Sequence, residues 1–105
     1  MKEYSEQEAL RAIAERNGIF TAQCLLQEEC AELIQAVSKK HRQLTWATLE
    51  HLLEEMADVS IMLEELAYLI PDGHARIRRW REEKLERTLV RLNLTAEMKD
   101  REEST

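Results

Sequence analysis

The chain has 105 residues, 44% of them hydrophobic, with two glycines, one proline and a formal net charge of −6. That much apolar content excludes a disordered chain, and so few breakers beside abundant Leu, Glu, Ala and Arg exclude a fold rich in turns. The acidic balance argues against non-specific nucleic-acid binding, which needs a basic surface.

Taken in chain order, Ser5 followed by Glu8 predicts a capping box that opens a first helix, closed at Asn17-Gly18. Thr21 is the expected cap of a second helix running to about His41. Residues 42–45 form a polar link, with Thr45 or Thr48 as the next cap. A third helix then runs to Ile70, where Pro71 stops it. Asp72 is the expected cap of a fourth helix ending near Asn93 or Leu94. From Thr95 onward the chain is charged and poor in apolar residues, which reads as a frayed tail. The expectation is therefore all-α: an antiparallel bundle of about four helices in one domain over residues 1–94, with a charged tail at 95–105.

Charge is unevenly spread. Residues 1–70 carry 13 acidic and 6 basic side chains, whereas residues 71–95 carry 4 acidic and 7 basic ones. One basic helix thus follows an acidic body. Cys24 and Cys30 stand six residues apart, about 9 Å along one helix, beyond the roughly 7 Å limit for a disulfide. They read as reduced core thiols of a cytoplasmic protein. The opening Met-Lys-Glu-Tyr-Ser-Glu does not read as a signal peptide. The longest uncharged stretch, Asn17 to Gln27, is far short of the roughly 18 residues a membrane span needs.

The informative residues are carboxylates. At about 100° per residue, Ala22, Leu25, Leu26, Leu33, Ala36 and Val37 share one face of the second helix. Glu29 falls in the middle of that face, with Glu28 and Glu32 at its edge. On the third helix Leu49, Leu52, Leu53, Met56, Val59, Leu63 and Ile70 make the main stripe. Glu55 and Asp58 lie on its shoulder with Met62, Leu66 and Leu69. Glu29/Glu32 and Glu55/Asp58 are both spaced i, i+3, so each pair points from one face. If the two helices pack antiparallel, four carboxylates converge.

Two carboxylates about 5 Å apart repel by roughly 3 kcal/mol at an effective dielectric near 20. Such a cluster is tolerable only if some groups stay protonated or a divalent cation binds. All-oxygen ligands suit Mg²⁺, Mn²⁺ or Ca²⁺ rather than zinc. A di-iron bundle would need Glu-x-x-His, and His51 stands before Glu54 in the reverse order. Glu64-Glu65, Glu82-Glu83 and Glu102-Glu103 read instead as solvated faces.

Glu28-Glu29-Cys30-Ala31-Glu32 and Glu55-Met56-Ala57-Asp58, with 22 residues between them, resemble the double motif Glu-Glu-x-x-Glu and Glu-x-x-Asp of the MazG-like nucleoside triphosphate pyrophosphohydrolases. The likeness covers roughly residues 17–92. It implies that Glu29, Glu32, Glu55 and Asp58 hold Mg²⁺, with Mn²⁺ as the alternative ion. Glu28 would orient or deprotonate the attacking water, or serve only as a solvated neighbour. The reaction implied is hydrolysis of a nucleoside triphosphate to the monophosphate and pyrophosphate, in nucleotide-pool cleansing or a related role. The family also implies a homodimer or a homotetramer, with no membrane or nucleic-acid partner.

No phosphate-binding glycine loop is present, so side chains must hold the substrate. Lys84, Arg87 and Arg91 follow i, i+3, i+7 with Trp80 a turn above, forming a cationic stripe that suits a triphosphate or, equally, ion pairs with Glu82, Glu83 and Glu86. Leu85, Leu89 and Leu92 take a different face and are expected to pack. Lys39 is a further phosphate candidate, or a cation suited to a helix C-terminus. Trp46 can stack on a base or anchor an interface. His51, one turn before Glu55, reads as a surface residue or as a neighbour of the ligands. The alternative to the enzyme is a non-catalytic helical oligomerisation or regulatory module that keeps a structural cation.

Overall fold

A computed structural model describes residues 3–104. It is all-helical, with 87% of the described residues in four helices and no strand among them, as the sequence leads one to expect. The helices are α1 (Glu6–Arg42), α2 (Trp46–Tyr68), α3 (Gly73–Arg91) and α4 (Thr95–Ser104). The chain divides into two compact units, residues 1–73 and 74–105.

In the first unit α1 opens on the expected capping box. Glu8 donates its backbone N–H to Ser5 Oγ at 3.1 Å, and Ser5 N–H donates to the Glu8 carboxylate at 3.3 Å. Gly18 interrupts α1 once, with φ +78° and ψ 166°, a conformation close to glycine-only backbone space. The helix resumes at once, so Thr21 lies inside it and does not cap a new one. Two helical segments with a single-residue joint replace the two separate helices expected. Lys39, Lys40, His41 and Arg42 occupy the last turn of α1, where cations suit the exposed carbonyls.

Thr45 caps α2, and its backbone and side chain trade hydrogen bonds with Thr48 at 2.9 and 3.1 Å. The Thr48 hydroxyl also donates to the Gln43 carbonyl at 2.7 Å, which fastens the short link. Helix α2 ends at Tyr68 rather than Ile70, because the residue before a proline is pushed out of helical geometry. Gly73 then comes so close to the Ala67 carbonyl that a Cβ there would collide with backbone. Asp72 takes a left-handed φ of 54°, unlike the extended backbone of an N-cap, so the cap expected at Asp72 does not form.

Cross-helix pairs fix the topology. Arg11 lies over the Tyr68 ring, Asn17 reaches Glu65, Glu29 and Glu32 meet Glu55, and Thr48 reaches Gln43. Ascending positions on α1 meet descending ones on α2, so the pair is antiparallel. Leu10, Ala14, Ala22, Ala36 and Ala67 are the buried apolar residues. Small side chains dominate this seam and let the backbones approach.

The face of α2 that packs combines the expected shoulder with part of the expected stripe, of which Leu49, Leu52, Val59 and Ile70 are half-buried. Glu55 and Glu65 are buried, and Asp58, Met62, Leu66 and Leu69 are half-buried. Leu53, Met56 and Leu63, assigned to the core from their spacing, are about half exposed at 48%, 50% and 51%. Val37 on α1 is likewise exposed.

In the second unit α3 ends at Arg91 in a Schellman motif. Asn93 adopts φ 59°, its N–H bonds the Val90 carbonyl, and the Leu94 N–H bonds the Leu89 carbonyl at 2.8 Å. That ring of bonds satisfies carbonyls left open at a helix end. Leu89 is half-buried, but Leu85 and Leu92 are exposed and do not pack as expected. Residues 95–104, expected to fray, form α4, helped by an ion pair between Glu97 and Arg101 at 3.0 Å; Thr105 lies outside the described residues. No helix among the described residues is long and apolar enough to cross a membrane.

Candidate metal centre

The carboxylates of Glu29, Glu32 and Glu55 converge between α1 and α2, each offering an oxygen within 4.8 Å of the others. Helical spacing puts Glu29 and Glu32 on the side of α1 that faces α2. The antiparallel register brings Glu55 opposite them. Glu55 is 6% exposed, Glu29 half-buried and Glu32 exposed. One face of the cluster is therefore sunk in the seam while the other opens to solvent.

Hydrogen bonding is incomplete at its buried side. One oxygen of Glu29 and one of Glu55 are buried without a hydrogen-bond partner. Buried polar atoms are nearly always paired, so an orphaned oxygen on each of two clustered carboxylates calls for a proton or a cation. Burial pushes the Glu55 carboxyl above its usual range, and the charges of Glu32 and Asp58 push it further; His51 opposes them and Glu54 adds a little. Glu29 is raised by burial first, then by Glu32, Asp58 and Glu55, and by a hydrogen bond with Glu32. Asp58 is thus near enough for both to feel its charge, although its oxygens stand outside the tight trio.

The donor set fits a hard divalent cation. Three carboxylates supply the negative charge, and the exposed Glu32 leaves one side of the cluster open to water. Glu29, Glu32 and Glu55 are brought together as expected, with Asp58 half-buried beside them. Glu28 is exposed on α1. Lys39 is exposed in the last turn of α1, and Trp46, 78% exposed, is the first residue of α2. Lys84, Arg87 and Arg91 belong to the second unit, where with Thr88 they line a surface hollow of about 400 Å³. Arg87 is held by Glu83 at 2.6 Å.

Spacing alone missed Glu65, which is 1% exposed, the largest fully buried side chain, and not solvated as its Glu64-Glu65 context suggested. Positions 55, 58, 62 and 65 step by three and four residues, the same ridge that carries Glu55 and Asp58. Asn17 Nδ2 donates to Glu65 Oε1 at 3.3 Å. Burial raises this carboxyl and the Asn17 hydrogen bond lowers it, with burial the larger effect. Comparison with protein families, with curated proteins and with solved structures found no match for the chain.

Proposed function

We propose that this protein is a cytoplasmic, Mg²⁺-dependent nucleoside triphosphate pyrophosphohydrolase of the MazG type, with Mn²⁺ as an alternative ion. The observation that carries the reading is the convergence of Glu29, Glu32 and Glu55, with one buried oxygen of Glu55 left without a hydrogen-bond partner. Only a cation relieves such a group and leaves it charged for work.

Glu29, Glu32, Glu55 and Asp58 would hold the ion, which when bound neutralises phosphate charge and lowers the pKa of a nearby water. Water adds to the α-phosphorus while the bond from that phosphorus to the bridging oxygen breaks, giving the monophosphate and pyrophosphate. Glu28, exposed on α1 next to Glu29, would accept the proton that the water gives up. Lys39 would bind the outer phosphates, and the exposed indole of Trp46 would stack on the base. Two free thiols, Cys24 and Cys30, suit a reducing compartment.

The same reading includes assembly with further copies of the chain, as a homodimer or a homotetramer. Leu53, Met56 and Leu63 share one exposed stripe of α2, and Ile34 and Val37 add apolar surface on α1. Contiguous apolar surface of this kind marks an interaction site.

The test is pyrophosphate release from a panel of nucleoside triphosphates with Mg²⁺, for the native chain and for Glu32→Gln and Asp58→Asn. Hydrolysis by the native chain that is lost in both folded variants supports catalysis. No hydrolysis of any nucleotide, with the ion bound, points to a structural helical module instead.

A further inference from the structure

His51 heads the ridge that carries the acidic ligands. Positions 51, 55, 58, 62 and 65 step by four and three residues along α2 and so share one side of the helix. His51 Nε2 lies 4.0 Å from Oε1 of Glu55, and its side chain is 49% exposed. The other oxygen of that carboxylate is the buried one with no partner. Two donors on one ion, each about 2.1 Å from it, stand at most about 4.2 Å apart. The histidine and the carboxylate already fall within that span. Two ligands four residues apart on one helical face are a recurrent chelating arrangement.

Building on the metal site proposed above, we propose that His51 donates an imidazole nitrogen to the ion held by Glu55, making a mixed nitrogen–oxygen centre that takes Mn²⁺ and related transition ions more tightly than the carboxylates alone would. Imidazole binds first-row transition ions well, whereas Mg²⁺ favours oxygen and keeps its water. The half-exposed ring has freedom to close the remaining distance, and its nitrogen would cover the solvent-facing side of Glu55. His51 would then tune which ion the site selects, a property that three carboxylates alone would not confer.

The experiment loads the full chain with Mn²⁺ and records pulsed electron paramagnetic resonance, which detects a directly bonded ¹⁴N nucleus. Affinities for Mn²⁺ and Mg²⁺ are measured alongside for the native chain and for His51→Asn. The expected result is ¹⁴N modulation in the native chain, absent in His51→Asn. Mn²⁺ affinity should fall about tenfold in the variant, with a much smaller change for Mg²⁺. Tight Mn²⁺ binding without ¹⁴N modulation, or modulation that survives in His51→Asn, overturns the role of His51 and leaves the carboxylate site standing. Failure of Mn²⁺ and Mg²⁺ alike to bind overturns both.

Discussion

The Asn17 amide donates to the Glu65 carboxylate at 3.3 Å, joining the residue before the α1 break to the most deeply buried large side chain of the protein. Burial holds this carboxyl above its usual range in spite of the amide. The folded state therefore keeps its proton to a higher pH than the unfolded chain does. Its contribution to stability is complete below the unfolded pKa and is lost as pH rises through the folded one. Glu65→Gln, which cannot ionise, should remove this part of the pH dependence and raise the melting temperature at neutral pH. Asn17→Ala should cost about 1–3 kcal/mol by stranding a buried oxygen. Melts from pH 4 to 8 read both effects. Parallel curves for native and Glu65→Gln chains would contradict the first.

The same physics acts more strongly where carboxylates crowd. Without an ion, the repulsion and burial that raise Glu29 and Glu55 work against folding above their ordinary pKa values. Glu55→Gln should therefore stabilise the ion-free protein at neutral pH. The native chain should gain about 2.7 kcal/mol at an ion concentration a hundredfold above Kd, and the variant little or nothing. Because protons compete for the same oxygens, the stabilisation by the ion should shrink as pH falls through those raised values. Thermal shift with and without Mn²⁺ at two pH values decides this. An ion-free Glu55→Gln that melts below the native chain would count against it.

Sequence showed the parts of this arrangement that depend on local rules. Ser5 with Glu8 and Thr45 as a cap are side-chain-to-backbone bonds within one turn, and both formed. Glu29 and Glu55 stood out because a carboxylate on an apolar face is costly in any fold. What sequence could not settle was which of two apolar faces of α2 meets α1 in a single chain. Leu53, Met56 and Leu63 are the more hydrophobic, but they stay about half exposed while Glu55 and Glu65 on the neighbouring ridge are buried. Hydrophobic pattern marks what will be buried in the end, not against which neighbour. Residues 95–104 were misread for a related reason. Their helix draws on the propensity of Ala, Glu, Met, Lys and Arg and on the Glu97–Arg101 pair, with little apolar periodicity to announce it.

Trp46 offers a test of substrate contact apart from folding. Its side chain is 78% exposed at the start of α2, so truncation removes little packing within the chain. If it stacks on the base, Trp46→Ala should weaken nucleotide binding by about 1–3 kcal/mol. KM should rise at least fivefold while the melting temperature shifts little. An unchanged KM would mean that the indole serves another surface.

The exposed stripe of α2 leads to the last expectation. Leu53, Met56 and Leu63 are each about half exposed, and Met56 lies immediately after Glu55. A partner seated on this stripe would bury it and shield the back of the centre from water. Met56→Lys places a charge in the middle of that contact, and burying an unpaired ammonium is too costly for the interface to survive. Light scattering should give a multiple of 12.4 kDa for the native chain and one chain's mass for the variant. Since the stripe faces away from Glu29 and Glu32, a dissociated Met56→Lys chain that still binds Mn²⁺ would show that each copy carries its own ion site. Loss of the ion on dissociation would mean that the second copy holds the ligands in place. A native chain with the mass of a single copy would remove the basis for assembly through this face.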